Sequence, residues 1–151
     1  MDFENTLGPW LGRTMKMIDY HVQDVFQEKN INLTKIQWIV LKKLHENDGI
    51  PQHKLAFLTN RDKASLARLI TTMEKKNLVA RIPSRTDKRS NHIHLTKHGK
   101  GTLKETLPIM EEILETLQDN ITREEIQATI AVIKKMQGNL INNNLNCCND
   151  N

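Results

Sequence analysis

Apolar residues recur at three- and four-residue steps along several stretches of the chain. Leu7, Leu11, Met15, Ile18, Val22 and Val25 trace one face of an amphipathic first helix. Thr34 and Gln37 have capping-box spacing ahead of Trp38, Ile39, Val40, Leu41 and Leu44, which predicts a second helix stopped by Asn47, Asp48 and Gly49. Pro51 suits a helix first turn, so a short third helix is expected through Lys54, Leu55, Ala56 and Leu58. A turn at Thr59 and Asn60 then leads into a fourth helix, from about Asp62 to Lys76.

That fourth helix has two unlike faces. At ~100° per residue, Leu66, Leu69, Ile70 and Met73 share one side. Arg61, Ala64, Ser65, Arg68, Thr72 and Lys75 share the other, with Thr71 at the border. An exposed face stabilised by ion pairs would carry acids, and this one carries none. Asn77 is a suitable cap, because Asn tolerates the left-handed conformation. Leu78 to Ile82 and the alternating Asn91 to Leu95 read as two strands around a turn that holds Arg85, Asp87, Lys88 and Arg89. The expected product is a two-stranded hairpin with a cationic tip.

Thr96 opens a long helical region, weakened near its start by Gly99 and Gly101. Its seam of Leu103, Leu107, Met110, Leu114 and Leu117 steps by four and three, and Pro108 should bend or interrupt it. Thr122 and Glu125 form a second capping box before Ile126, Ile130, Ile133, Met136 and Leu140. The expected fold is mainly α with a small β-hairpin wing. A winged helix-turn-helix lobe (34–95) is flanked by an N-terminal helix (1–30) and C-terminal helices (96–141), and an Asn-rich tail (142–151) is expected to be disordered.

Charge sharpens this pattern. Of 151 residues, 22 are Lys or Arg and 18 are Asp or Glu, for a net +4. Between Asn60 and Arg89, nine basic residues face three acids, whereas from Glu105 onward three bases face eight acids. The basic excess therefore sits on the fourth helix and hairpin, the parts that a helix-turn-helix presents to the major groove and, through its wing, to a minor groove. Arg, Lys, Ser and Thr side chains bond phosphates and base edges. No apolar run approaches the roughly 20 residues needed to span a bilayer, and no secretory segment opens the chain. With Cys147 and Cys148 as the only cysteines, no disulfide framework is available, and a cytoplasmic location is expected.

Several segments resemble one family. They are Thr34-Lys35-Ile36-Gln37-Trp38, Arg61 through Arg68, Met73-Glu74-Lys75-Lys76-Asn77-Leu78-Val79, the Asp87-Lys88-Arg89 wing, and Leu95 through Gly99. In this order, over residues 5 to 141, they are similar to the multiple-antibiotic-resistance regulator (MarR) family. Asn77 stands where that family usually has Gly, and either residue serves the same cap. The resemblance implies a homodimeric regulator of transcription with interlocked terminal helices, expected to be a repressor released by a small-molecule ligand. It implies DNA contacts from Arg61, Lys63, Ala64, Ser65, Arg68, Thr72 and Lys75 on the recognition helix, and from Arg85, Asp87, Lys88 and Arg89 on the wing. Arg89 would enter the minor groove, oriented by Asp87. The partner would be double-stranded DNA with a pseudopalindromic operator.

The family also binds small, often aromatic, anions. Trp10, Arg13, His21 and Trp38 are candidates for such an effector pocket, although ordinary core and interface roles account for each equally well. His92, His94 and His98 lack the company of Cys or clustered carboxylates, so neither a metal nor another cofactor is expected. There is no GxSxG, Walker loop, dinucleotide fingerprint or HExxH pair, and no enzyme is expected. The rival reading is an architectural DNA-binding protein with little sequence preference and no effector.

Overall fold

The computed structural model describes residues 2–86 and 90–147. A short 3-10 turn at Phe3–Asn5 precedes helix α1 (Leu7–Glu28), followed by α2 (Lys35–Glu46), strand β1 (Ile50–Pro51), α3 (Gln52–Leu58) and α4 (Lys63–Lys75). Strands β2 (Val79–Pro83) and β3 (Asn91–Leu95) come next, then α5 (Lys97–Leu117) and α6 (Arg123–Cys147). The chain divides into two compact units, Met1–Ile113 and Leu114–Asn151. No helix among the described residues is long and apolar enough to cross a membrane.

The helix ends follow local chemistry. At the start of α2, Thr34 Oγ1 accepts from the Gln37 amide while Gln37 Oε1 accepts from the Thr34 amide, a complete capping box. Thr122 and Glu125 repeat the device before α6. Asn30, Asn60, Asn77 and Asn120 all take positive φ, between 50° and 57°, and so turn the chain out of helices with the residue that bears this conformation best after glycine. α6 runs to Cys147, past the helix end expected at residue 141.

The sheet differs from the expected hairpin. It has three strands in the order β1-β3-β2, all antiparallel. Pro51 is not in a helix first turn: it ends β1, opposite His92, and precedes α3 as its N-cap residue. Two residues leave almost no alternation to read, and proline is tolerated there because an edge strand need not donate on both sides. Gly49, at φ 76°, turns the chain from α2 into β1, and its amide donates to the Ile93 carbonyl at 3.1 Å. Asp48 secures the same corner by accepting from the Leu95 amide at 2.8 Å.

One core fills the first unit. Val22 and Phe26 of α1, Val40, Leu41 and Leu44 of α2, Leu55 of α3, Leu66, Ile70 and Met73 of α4, Ile93 of β3 and Leu103, Met110 and Ile113 of α5 all belong to it. Only the C-terminal half of the α1 stripe is covered, since Leu7 and Met15 are half-exposed. α5 continues through Pro108 without interruption. Proline removes one helix hydrogen bond, but Leu103 on one side of it and Met110 and Ile113 on the other are buried in the same core, which holds both halves in place.

Candidate nucleic-acid interface

α4 is positioned by its buried stripe. Leu66, Ile70 and Met73 have no exposed surface, and burying each such side chain contributes roughly 1.5–3 kcal/mol. With that side fixed, Ala64, Arg68, Thr72 and Lys75 stand in solvent, as the amphipathic pattern requires, and Lys63 is exposed in the first turn. Thr72 Oγ1 donates to the Arg68 carbonyl at 3.1 Å, so its methyl and remaining lone pairs are what it presents outward. Arg61 and Ser65 are half-buried and bonded to each other, Nη1 to Oγ at 2.7 Å, at the entrance to the helix. Nε of Arg61 is buried without a partner in this structure.

Asp62 caps α4. Its carboxylate accepts from the Ser65 amide at 2.8 Å, and this bond chiefly holds its pKa below the ordinary 3.8, with Arg68 adding a smaller attraction. A depressed carboxylate pKa contributes stability above the unfolded value and loses it as pH falls through the folded one. Asp62→Ala is therefore expected to lower the melting temperature at neutral pH. It should also reduce the further fall between about pH 5 and pH 3, measured by circular dichroism.

Among the described basic residues of this stretch, Lys76 and Arg81 are bonded to other elements of the fold. Lys76 Nζ donates to the Asn32 carbonyl, Asn32 Oδ1 and Gln37 Oε1 at 2.9–3.1 Å, tying the end of α4 to the start of α2. Arg81 bonds Glu74, Ala67 and Thr71 of α4. Sequence reasoning counted both in the basic surface and assigned neither as a contact. One signal was present for Arg81: strand alternation places it on the same side of β2 as the buried Val79, facing the helix. A shallow cleft of about 570 Å³ lies between α4 and the sheet, with Gln52, Arg68, Thr72 and Asn91 among its walls.

At the wing, Ser84 and Ser90 close the hairpin with an amide-to-carbonyl bond of 2.8 Å, and Arg85 is exposed beside them. Asp87, Lys88 and Arg89 lie outside the described residues. Of the effector candidates, Trp10 and Arg13 come together, with the guanidinium 5.3 Å from the indole centroid. Their other partner is Glu4, whose carbonyl accepts from Trp10 Nε1 and whose carboxylate pairs with Arg13. Trp38 is instead packed against the core and donates to Thr106 Oγ1 at 3.1 Å, while His21 is exposed. His94 Nδ1 lies 3.7 Å from Asp48 Oδ2 at the β1 corner.

A family model described as the MarR family matches residues 33–90. Transcriptional regulator HosA of Escherichia coli O157:H7 is 30% identical over 111 residues, which cover 74% of this chain and 82% of HosA. Among solved structures, AbsC, a MarR family transcriptional regulator from Streptomyces coelicolor, aligns with a TM-score of 0.83 at 23% identity, over 94% of this chain and 97% of its own. A mutant MarR from E. coli complexed with operator DNA aligns with a TM-score of 0.74 at 24% identity, over 90% and 99% of the two chains. The solved structures share the fold, and the family model and HosA carry the kinship. The chain belongs to the MarR family of transcriptional regulators.

Proposed function

We propose that the chain is a cytoplasmic homodimeric repressor that binds a pseudopalindromic operator and is released by a small-molecule ligand. The observation that carries the DNA reading is the exposed face of α4. Ala64, Arg68, Thr72 and Lys75 share one exposed, acid-free face, opposite three fully buried apolar side chains, and Lys63 is exposed in the first turn. That is the composition and shape of a major-groove reader. The solved MarR–operator complex supports the same use of the fold. Arg85 and the Asp87, Lys88 and Arg89 tip extend the reading to flanking minor grooves.

The dimer rests on apolar surface left in water. On the N-terminal segment Phe3, Leu7, Trp10, Met15, Met17 and Tyr20 are each at least half exposed. In the second unit Ile121, Ile130, Val132, Leu140 and Ile141 are likewise exposed, and α6 has no fully buried residue among those with described side chains. Such surfaces are what a second copy covers in a twofold assembly. Two α4 helices would then enter successive major grooves about one turn apart. Release requires a ligand that favours the DNA-incompetent arrangement, because equal affinity for both shifts nothing.

Footprinting together with sedimentation tests the proposal. The expected result is a dimer that protects an inverted repeat. Uniform coverage of any duplex, with a steep salt dependence, would establish the architectural reading instead. A monomer would remove the twofold operator.

A further inference from the structure

Arg81 makes three side-chain hydrogen bonds to α4 at the junction of wing and recognition helix. Its amide donates to Glu74 Oε1 at 3.0 Å and its Nη1 to Glu74 Oε2 at 2.9 Å, so one carboxylate is held from both backbone and side chain. Its Nη2 donates to the Ala67 carbonyl at 2.7 Å and to Thr71 Oγ1 at 3.0 Å. Ala67, Thr71 and Glu74 stand at i, i+4 and i+7, a stripe along about two turns of α4. One guanidinium thus spans the stripe, as its planar fork permits and an ammonium does not.

The covalent link between these elements is short and bent. Only Lys76, Asn77 and Leu78 separate α4 from β2, and Asn77 turns the chain at φ 54°. β3 is held at its far edge by β1 and by its bonds with Gly49 and Asp48, whereas the outer strand β2 takes a fixed angle to α4 only through an attachment of its own. We propose that Arg81 and Glu74 are that attachment: a pair of positioning residues that lock the wing's base to the recognition helix, so that both elements meet DNA in one fixed geometry. This rests on the DNA-binding reading above. It removes Arg81 from the set of direct phosphate contacts, although its charge and location invite that assignment.

The sign of one substitution separates the two roles. If Arg81 contacted phosphate directly, Glu74→Gln would delete a repelling acid and strengthen binding. A positioning pair requires the opposite. The probe is a duplex carrying the inverted repeat that the wild-type protein selects from random-sequence DNA. Glu74→Gln is expected to weaken binding to it by about tenfold, or ~1.4 kcal/mol. Hydroxyl-radical protection should fade in the flanking minor grooves while the major-groove footprint remains. A merely structural loss would instead fade both footprints together. Arg81→Lys, which keeps the charge and loses the fork, should behave as Glu74→Gln does.

Exchange of the Arg81 amide, read without DNA, reports on the clasp alone and should quicken about tenfold in Glu74→Gln at unchanged global stability. Should Glu74→Gln fail to fold, Thr71→Val is the substitute, and a smaller loss confined to the flanks is expected. Tighter or unchanged binding with intact flanks overturns the clasp while leaving the DNA reading in place. A wild-type protein that protects no duplex overturns the DNA reading, and the clasp's role with it.

Discussion

Arg68→Ala is expected to abolish the distinction between operator and non-operator DNA while leaving the protein folded. Arg68 is exposed near the middle of α4, one turn after the half-buried Ser65 and one turn before Thr72. On the proposed DNA-binding reading its side chain would reach the base edges beside Ala64 and Thr72. A bidentate arginine–guanine pair is worth ~1–3 kcal/mol of discrimination. A twofold dimer presents two such arginines, so the loss counts twice, ~2–6 kcal/mol in all if the half-sites contribute additively. Lys63 and Lys75 provide the control, since an ammonium that meets phosphate carries no sequence information. Lys75→Ala should weaken all duplexes alike and reduce the salt slope by about 1 for each phosphate left without its ammonium. Competition between operator and random duplex at two salt concentrations measures both quantities. Wild-type discrimination by Arg68→Ala would remove this residue from base reading.

The difference between those two outcomes shows what the sequence could and could not reveal. Helices carry their own signal: apolar spacing located α1, α2 and α4, and two capping boxes marked starts that the structure reproduces bond for bond. The acid-free side of α4 was legible because amphipathicity fixes which residues face water once the buried stripe is known. The partners of Arg81 and Lys76 were hidden, because they depend on where two elements meet in space. A lysine whose three donors go to Asn32 and Gln37 has the same letter as one in solvent. Strand β1 was missed for a different reason: at two residues it has no period, and it exists because the Gly49 turn lays Ile50 against Ile93. Summed charge therefore overcounted the cations of this stretch that face solvent, since Lys76 and Arg81 are bonded within the fold.

Gly99→Ala is expected to be the most damaging single methyl addition in the first unit. By propensity alone the change should help, since alanine is better than glycine inside a helix by about 1 kcal/mol. The structure reverses the sign. Gly99 is buried in the first turn of α5, where Thr96 Oγ1 accepts its amide hydrogen at 2.9 Å. Thr96 itself is pinned, its amide donating to the Leu78 carbonyl at 3.2 Å. A Cβ on residue 99 would lie 2.0 Å from that carbonyl oxygen and 3.0 Å from its carbon, backbone atoms that no side-chain rotation can move aside. Relief must come from shifting α5 away from the turn that joins α4 to β2, and overpacking of this kind costs about 1–3 kcal/mol or more. Gly101→Ala is the matched control two residues on, where a Cβ meets nothing within 4 Å. It should leave stability unchanged or raise it by up to about 1 kcal/mol. Urea melts of the two variants decide the matter, and equal midpoints would mean that α5 is not seated on Leu78. Because Leu78 follows directly on Asn77, the bend between recognition helix and wing, the damage should extend beyond stability. Gly99→Ala protein that remains folded is expected to lose flanking minor-groove protection, the same outcome expected of Glu74→Gln.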